Sequence, residues 1–215
     1  MMGRMSMERH PAGRKRFVTA ILPWLIGGGG LLGYLVSLNH WISLRSLDAV
    51  DEVSGPVWQP AMTQPLSWSV LSPFRLLPEA AIPLALNLFA AACSATILMW
   101  LARTVALLPY NRTGEERARG GRIAAPPNIS AWASPVLATL ACGLQLTFWE
   151  QATAFSGEAI DLLLLAYVIR SLFEFRRDGN ERWLMNTAWL YGLGMANNWG
   201  FIGFFPVYLA AAVWL

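Results

Sequence analysis

The chain has 215 residues, of which 55% are hydrophobic and only 13% charged, with 11 tryptophans and a formal net charge of +3. That balance is far more apolar than an ordinary soluble domain of this length requires, so a membrane is the expected solvent. The cations are scattered between apolar runs rather than gathered into a basic groove with interleaved aromatics, which argues against nucleic acid as a partner.

The first 16 residues carry Arg4, Arg9, Arg14, Lys15 and Arg16 against Glu8 alone. Residues 17–38 follow as 22 positions without a charge, enough to cross a hydrocarbon core about 30 Å thick as helix. The basic lead resembles a secretory signal, but the apolar stretch is too long and lacks a small-x-small cleavage site, so a retained first helix is expected. Residues 40–78 form a loop longer than a connector needs. It opens on the acids Asp48, Asp51 and Glu52 in "LDAVDEVSG", and prolines at 56, 60 and 65 exclude one continuous helix. Its end, "SVLSPFRLLPE", is amphipathic: Val70, Leu71, Phe74, Leu76 and Leu77 suit a membrane interface, with Arg75 near headgroup phosphate.

Further spans are expected at residues 80–108, 131–148 and 159–173. The final run, residues 183–215, is 33 residues long, more than one ordinary crossing takes. Its "GLGMANNWG" supplies glycines and amides that loosen a helix, so two helices or half-helices should meet near Asn197. The prediction is an all-α integral membrane protein with about six transmembrane or half-membrane helices, preceded by a basic segment 1–16. Because residue 215 falls inside an apolar run, the membrane domain 17–215 is expected to be truncated at its C-terminal end.

Arginines set the orientation. Arg112, Arg117, Arg119 and Arg122 crowd the 109–130 loop, and Arg176, Arg177 and Arg182 fall in "EFRRDGNER", whereas residues 40–78 and 149–158 collect Asp48, Asp51, Glu52, Glu150 and Glu158. The positive-inside rule places the basic loops and the N-terminus in the cytoplasm and the acidic loops outside an inner (cytoplasmic) membrane. Trp41, Trp100, Trp132, Trp149, Trp183 and Trp214 fall near span ends, as interfacial anchors do. Cys93 and Cys142 lie within spans and suit small buried hydrophobes better than a disulfide. No His or Cys cluster has metal-ligand spacing, so no cofactor is expected, with a divalent metal left open. The sequons at Asn111 and Asn128 fall in a loop assigned to the inside and are taken as chance.

Two blocks carry a family resemblance. "QPLSWSVLSPFRLLPEAAIPLALNLFAAACSATILMWLAR" resembles a segment of a bacterial membrane family related to transmembrane protein 260, a protein O-mannosyltransferase. There a His-Pro-Pro-Gly-Tyr-Pro-Leu motif precedes an amphipathic helix, a Leu-Pro and an Asn-Leu span. "LQLTFWEQATAFSGEAIDLLLLAYVIR" followed by "WLMNTAWLYGLGMANNWGFIGFFPVYL" is similar to that family's Phe-Trp, Gln-Ala and Glu segment and its Tyr-Gly-Leu-Gly span with asparagines. The resemblance runs from about Trp24 to the end. It implies the N-terminal membrane part of a GT-C-type glycosyltransferase, moving a sugar from a polyprenyl-phosphate donor to a protein or glycan acceptor on the outer face.

The resemblance also implies roles. An acid of the first outer loop would be the general base, Asp51 or Glu52 with Asp48 behind them, where the family has an Asp-Ser-Gly-Glu-Phe type motif. Gln59 stands nearest the place of the family's histidine in "QPAMTQPL", with Gln64 closing that segment. Gln59 and Arg75 would stabilise the departing lipid phosphate. Glu158 matches the family's Glu before the fourth span and would close the same cavity, Asp161 one turn on would face it or the interface, and Asn197 and Asn198 would bind sugar or lipid groups. Each has a plainer alternative: solvated loop charge for the acids, a helix N-terminal charge for Glu158, and a satisfied helix break for the asparagines. Two other classes stand beside the transferase: a transporter or flippase of a lipid-linked or small polar solute, disfavoured by the lack of an inverted repeat, and a non-catalytic membrane scaffold.

Overall fold

The computed structural model describes residues 17–43, 46–55, 64–108 and 130–214. The basic segment 1–16, Gln59, the arginines of the 109–129 loop and the sequons at Asn111 and Asn128 lie outside the described residues.

Helix α1 (Phe17–Val36) begins with a π turn, Phe17–Ile21, and continues as regular helix through four successive glycines. A chain in hydrocarbon must satisfy its backbone internally, which holds even a glycine-rich segment helical. Gly27 and Gly30 have a packing reason. A β-carbon at Gly27 would lie 3.1 Å from the Met99 side chain and 3.3 Å from the Ala95 carbonyl, and one at Gly30 would lie 3.0 Å from Leu98. These small residues let α1 lie close against the central helix α4 (Ile82–Leu107), in the manner of membrane helix pairs. At 26 residues α4 is about 39 Å long at the α-helical rise. It is buried on several sides, with Leu86, Ala90, Ala91 and Ala102 closed to solvent.

Between α1 and α4 the described residues form two short helices, α2 (Leu47–Ser54) and α3 (Pro65–Leu71), the latter running into a 3-10 turn, Ser72–Leu76. Leu71 is 2% exposed and joins the core, while Leu76 is 89% exposed, so the amphipathic face expected over this stretch divides between core and surface. After the loop come α5 (Ser130–Gly143), α6 (Leu146–Thr153), α7 (Glu158–Asp178), α8 (Glu181–Asn197) and α9 (Gly200–Trp214). Gly179, at φ +65°, ends α7 in the left-handed conformation that glycine adopts without a β-carbon penalty, and the Asn180 side chain caps α8 by accepting from the Arg182 amide at 3.1 Å.

Among the described residues two helices, α1 and residues Glu79–Leu107, are long and apolar enough to cross a membrane, and a third crossing arises if α6 and α7, bent 115° to each other, act as one span. α5 and α9 are shorter apolar helices. The expected count of about six therefore stands at two or three by length and composition. The reason lies partly in α7, whose Glu158, Asp161, Arg170, Glu174 and Arg176 dilute its apolar length. The expected 131–148 span ends early, at Gly143, where the Tyr34 hydroxyl donates to the Gly143 carbonyl at 3.1 Å and Leu98 sits 3.0 Å from the place of a β-carbon. The final apolar run does divide, between Asn197 and Gly200.

Two buried polar residues lock the bundle at its ends. Asn87 on α4 is closed to solvent; its amide nitrogen donates to the Asn39 carbonyl at 2.7 Å, and its oxygen accepts from the Phe155 amide at 2.9 Å. It thereby ties the exit of α1 to the α6–α7 hinge. At the far end Glu174 on α7, also closed to solvent, pairs with Arg103 on α4, whose Nη1 reaches the Thr19 carbonyl of α1 at 2.9 Å. Both cysteines are free, Cys93 buried and Cys142 half-buried.

Candidate functional site

The polar side chains of the Asn87 end converge where α7 begins and α8 gives way to α9. Asp161 lies in the first turn of α7, where the helix dipole favours a carboxylate. Its Oδ1 accepts from the Asn197 amide at 2.8 Å and its Oδ2 from the Asn198 amide at 2.6 Å. Two donors aimed at two carboxylate oxygens fix the plane of the group.

Asn197 does more than orient Asp161. It is 1% exposed, and its Oδ1 accepts from the backbone amide of Ser67 at 2.9 Å. Ser67 is in the first turn of α3, whose flanking residue Gln64 supplies no cap of its own. A side chain from α8 thus satisfies an orphan amide at the start of α3. The Ser67 hydroxyl completes the link, 3.0 Å from Asn197 Nδ2. Asn198 uses its oxygen to accept from the Gly200 amide at 2.8 Å, capping α9 while its nitrogen holds Asp161.

This junction is possible because Gly194 makes room for it. A β-carbon there would lie 2.7 Å from the Phe201 ring. Phe201 in turn packs edge-on against Tyr191, whose hydroxyl donates to the Phe201 carbonyl.

Around this cluster, Glu158 is exposed and accepts from the Gln151 amide, linking α7 to α6. The Gln64 amide oxygen faces Gly157, 3.8 Å from where a β-carbon would stand. Arg75 is exposed on the 3-10 turn beyond α3. The three first-loop acids sit on α2, which buries Ala49, Val50 and Val53 against Leu71, Leu86, Phe155 and Ala159. Helical spacing turns Asp48, Asp51 and Glu52 away from that face. Asp48 and Asp51 are exposed, Glu52 is half-buried, and none of the three makes a hydrogen bond or ion pair among the described residues. α2 therefore shares a core with Ala159, next to Glu158, without bringing its acids into contact with Asp161.

A cavity of about 350 Å³ lies elsewhere, between α1, α4, α5 and α6, walled by Gly29, Gly33, Leu98, Val136, Leu140 and Trp149. It is almost wholly apolar, and neither the α2 acids nor Glu158 line it. Among the described residues no three His, Cys, Asp or Glu side chains gather as a metal site.

Residues 63–215 match the family described as the protein O-mannosyl-transferase TMEM260 N-terminal domain. The chain belongs to that family. The matched stretch takes in Gln64, Ser67, Arg75, Glu158, Asp161, Asn197 and Asn198, so the whole polar junction lies inside the TMEM260-type domain. It begins later than the Trp24 start expected from the sequence, and Asp48, Asp51, Glu52 and Gln59 precede it. No curated protein and no solved structure shows significant similarity to the chain.

Sequence reasoning singled out Asp161, Asn197 and Asn198 individually, and the fold joins them. It missed Ser67, which belongs to no charge pattern or motif, and it saw Gln151 only as the Gln of the Gln-Ala segment, with no hint of its link to Glu158. Asn87 was visible only as the Asn of an Asn-Leu span, with no hint of what it bonds.

Proposed function

We propose that the chain is the membrane part of a glycosyltransferase that moves a mannose-like sugar from a polyprenyl-phosphate donor to a hydroxyl acceptor, a protein or a glycan, at the outer membrane face. The observation that carries this reading is the TMEM260-type match over the polar junction of α3, α7 and α8–α9. Asp161, held by two carboxamides, presents an oriented acceptor group to sugar hydroxyls. A carboxylate with both oxygens already bonded suits binding better than proton abstraction, which needs a lone pair free to receive a proton.

The general base is assigned to Glu52. Of the three α2 acids it alone is half-buried, and it carries no partner among the described residues. In the transfer, Glu52 removes the acceptor hydroxyl proton, and the acceptor oxygen forms its bond to the anomeric carbon from the face opposite the phosphate. The bond from that carbon to the phosphate oxygen breaks with inversion, and the lipid phosphate leaves as the anion. Cationic and amide groups stabilise that developing charge, the role proposed for Arg75 and Gln59. Glu158 and Gln64 border the sugar.

The test of the binding role is Asp161→Ala in the inserted, folded fraction. Loss of sugar contacts should raise KM for the donor by about tenfold, the factor for roughly 1.4 kcal/mol of binding. An unchanged KM would remove Asp161 from the site and leave it a purely structural link.

A further inference from the structure

The end of the bundle away from Asp161 holds a second polar cluster that the transfer reaction does not use. Three guanidinium groups surround buried Glu174. Arg103 donates to Oε1, Arg177 Nη1 lies 3.1 Å from Oε2, and Arg170 Nε stands 3.9 Å from Oε1. Two of the three are further engaged: Arg103 by the Thr19 carbonyl at 2.9 Å, and Arg177 by Asp178 at 2.6 and 2.8 Å. Arg170 is different. Among the described residues its guanidinium makes no hydrogen bond, and its Nε is buried without an acceptor. It is flanked instead by the faces of Trp100 and Trp183, at 5.6 and 5.9 Å.

An arginine offers five N–H donors in a planar fork, keeps its charge, and matches phosphate oxygens two at a time. Burying Nε without an acceptor costs free energy, and the remaining donors of the fork are left for an acceptor to engage. Among the described residues Arg103, Arg170 and Arg177 face only Glu174 and Asp178, one negative charge fewer than the three cations. The Arg170 side chain is 21% exposed, so the fork is reachable. Tryptophans on both sides of a cation mark the headgroup level of a bilayer, and α4 and α7 run from here into the apolar bundle. A basic pocket between membrane helices at that level is suited to an anionic headgroup.

We propose that Arg170, seconded by Arg177, binds the phosphate of an anionic phospholipid between Trp100 and Trp183. The lipid phosphodiester supplies the missing negative charge and accepts from the unbonded fork, while its acyl chains follow α7 and α8 along the apolar surface. This site is independent of the sugar-transfer reading and of its residues.

The full chain, purified into phosphatidylcholine nanodiscs with graded phosphatidylglycerol, tests it by native mass spectrometry and thermal unfolding. Phosphatidylglycerol should remain bound as a single lipid and raise the unfolding midpoint, with no comparable effect of phosphatidylcholine. Arg170→Gln should weaken phosphatidylglycerol binding about fivefold, as loss of one basic residue at an anionic surface implies, with an unchanged midpoint in pure phosphatidylcholine. Glu174 keeps Arg103 and Arg177 in that variant, so folding is preserved. Arg170→Lys, which keeps the charge and loses the fork, should fall between the two. Equal binding by wild type and Arg170→Gln, or equal shifts from both lipids, would overturn the proposal. A matching shift from inorganic phosphate without anionic lipid would overturn the assignment to a membrane lipid.

Discussion

Asn197 joins three elements with one carboxamide. From the last turn of α8 its oxygen accepts from the Ser67 amide on α3, and its nitrogen donates to Asp161 on α7. Asn197→Leu would strip the start of α3 of its acceptor and Asp161 of one donor. At about 1–3 kcal/mol for each buried group left unsatisfied, the loss should be about 2–5 kcal/mol, measurable as a lowered unfolding midpoint in detergent. Gly194 has a purely steric duty. Gly194→Ala would press a methyl against the Phe201 ring at 2.7 Å and should cost about 1–3 kcal/mol, with much of it recovered in Gly194→Ala/Phe201→Leu. An unchanged midpoint in the single variant would contradict the close packing at this break. The sequence made Asn197 and Asn198 visible because two adjacent carboxamides between glycines are unusual in an apolar run. Ser67 was invisible because a serine in a loop carries no pattern, and only its tertiary partner gives it meaning.

At the level of elements, the informative feature is how polar residues divide the apolar stretches. The sequence showed where hydrocarbon-compatible segments begin, and α1 and α4 follow those expectations closely. It did not show that residues 131–148 stop at Gly143, whose carbonyl accepts from the distant Tyr34 hydroxyl. Nor did it show that α7 meets α6 at 115°. That bend is held by Asn87, near the start of α4, which accepts from the Phe155 amide. The other fastening is Glu174. Glu174→Gln would leave three guanidinium groups around a neutral amide, and breaking a buried ion pair in this way typically costs about 3–5 kcal/mol. The variant should unfold at clearly lower temperature or fail to accumulate in membranes. Stability equal to wild type would mean the cluster is neutralised by groups other than Glu174.

For the whole molecule, the two polar ends have opposite characters. One end gathers Asp161, Glu158 and the α2 acids, and the other gathers Arg103, Arg170 and Arg177 around Glu174. On the positive-inside rule this asymmetry predicts the acidic end outside, and that orientation is open to direct test. A cysteine introduced at Asp48, which is exposed, should react with an impermeant thiol reagent added from outside, whereas one introduced at Asp178 should react only after permeabilisation. The reverse pattern would invert the topology. The role proposed for the α2 acids rests on sequence resemblance, since the family match begins after them. Their arrangement nonetheless distinguishes one of them, because Glu52 alone is half-buried.

The most direct measurement is transfer of labelled mannose from a polyprenyl-phosphate donor to a hydroxyl-bearing acceptor peptide by the full chain in proteoliposomes, with Glu52→Gln and Asp48→Asn beside wild type. Wild type should transfer, Glu52→Gln should lose about 10²–10⁴-fold in rate while inserting normally, as expected for removal of a general base, and Asp48→Asn should stay near wild type. Transfer undiminished in Glu52→Gln, or no transfer by wild type, would contradict the account.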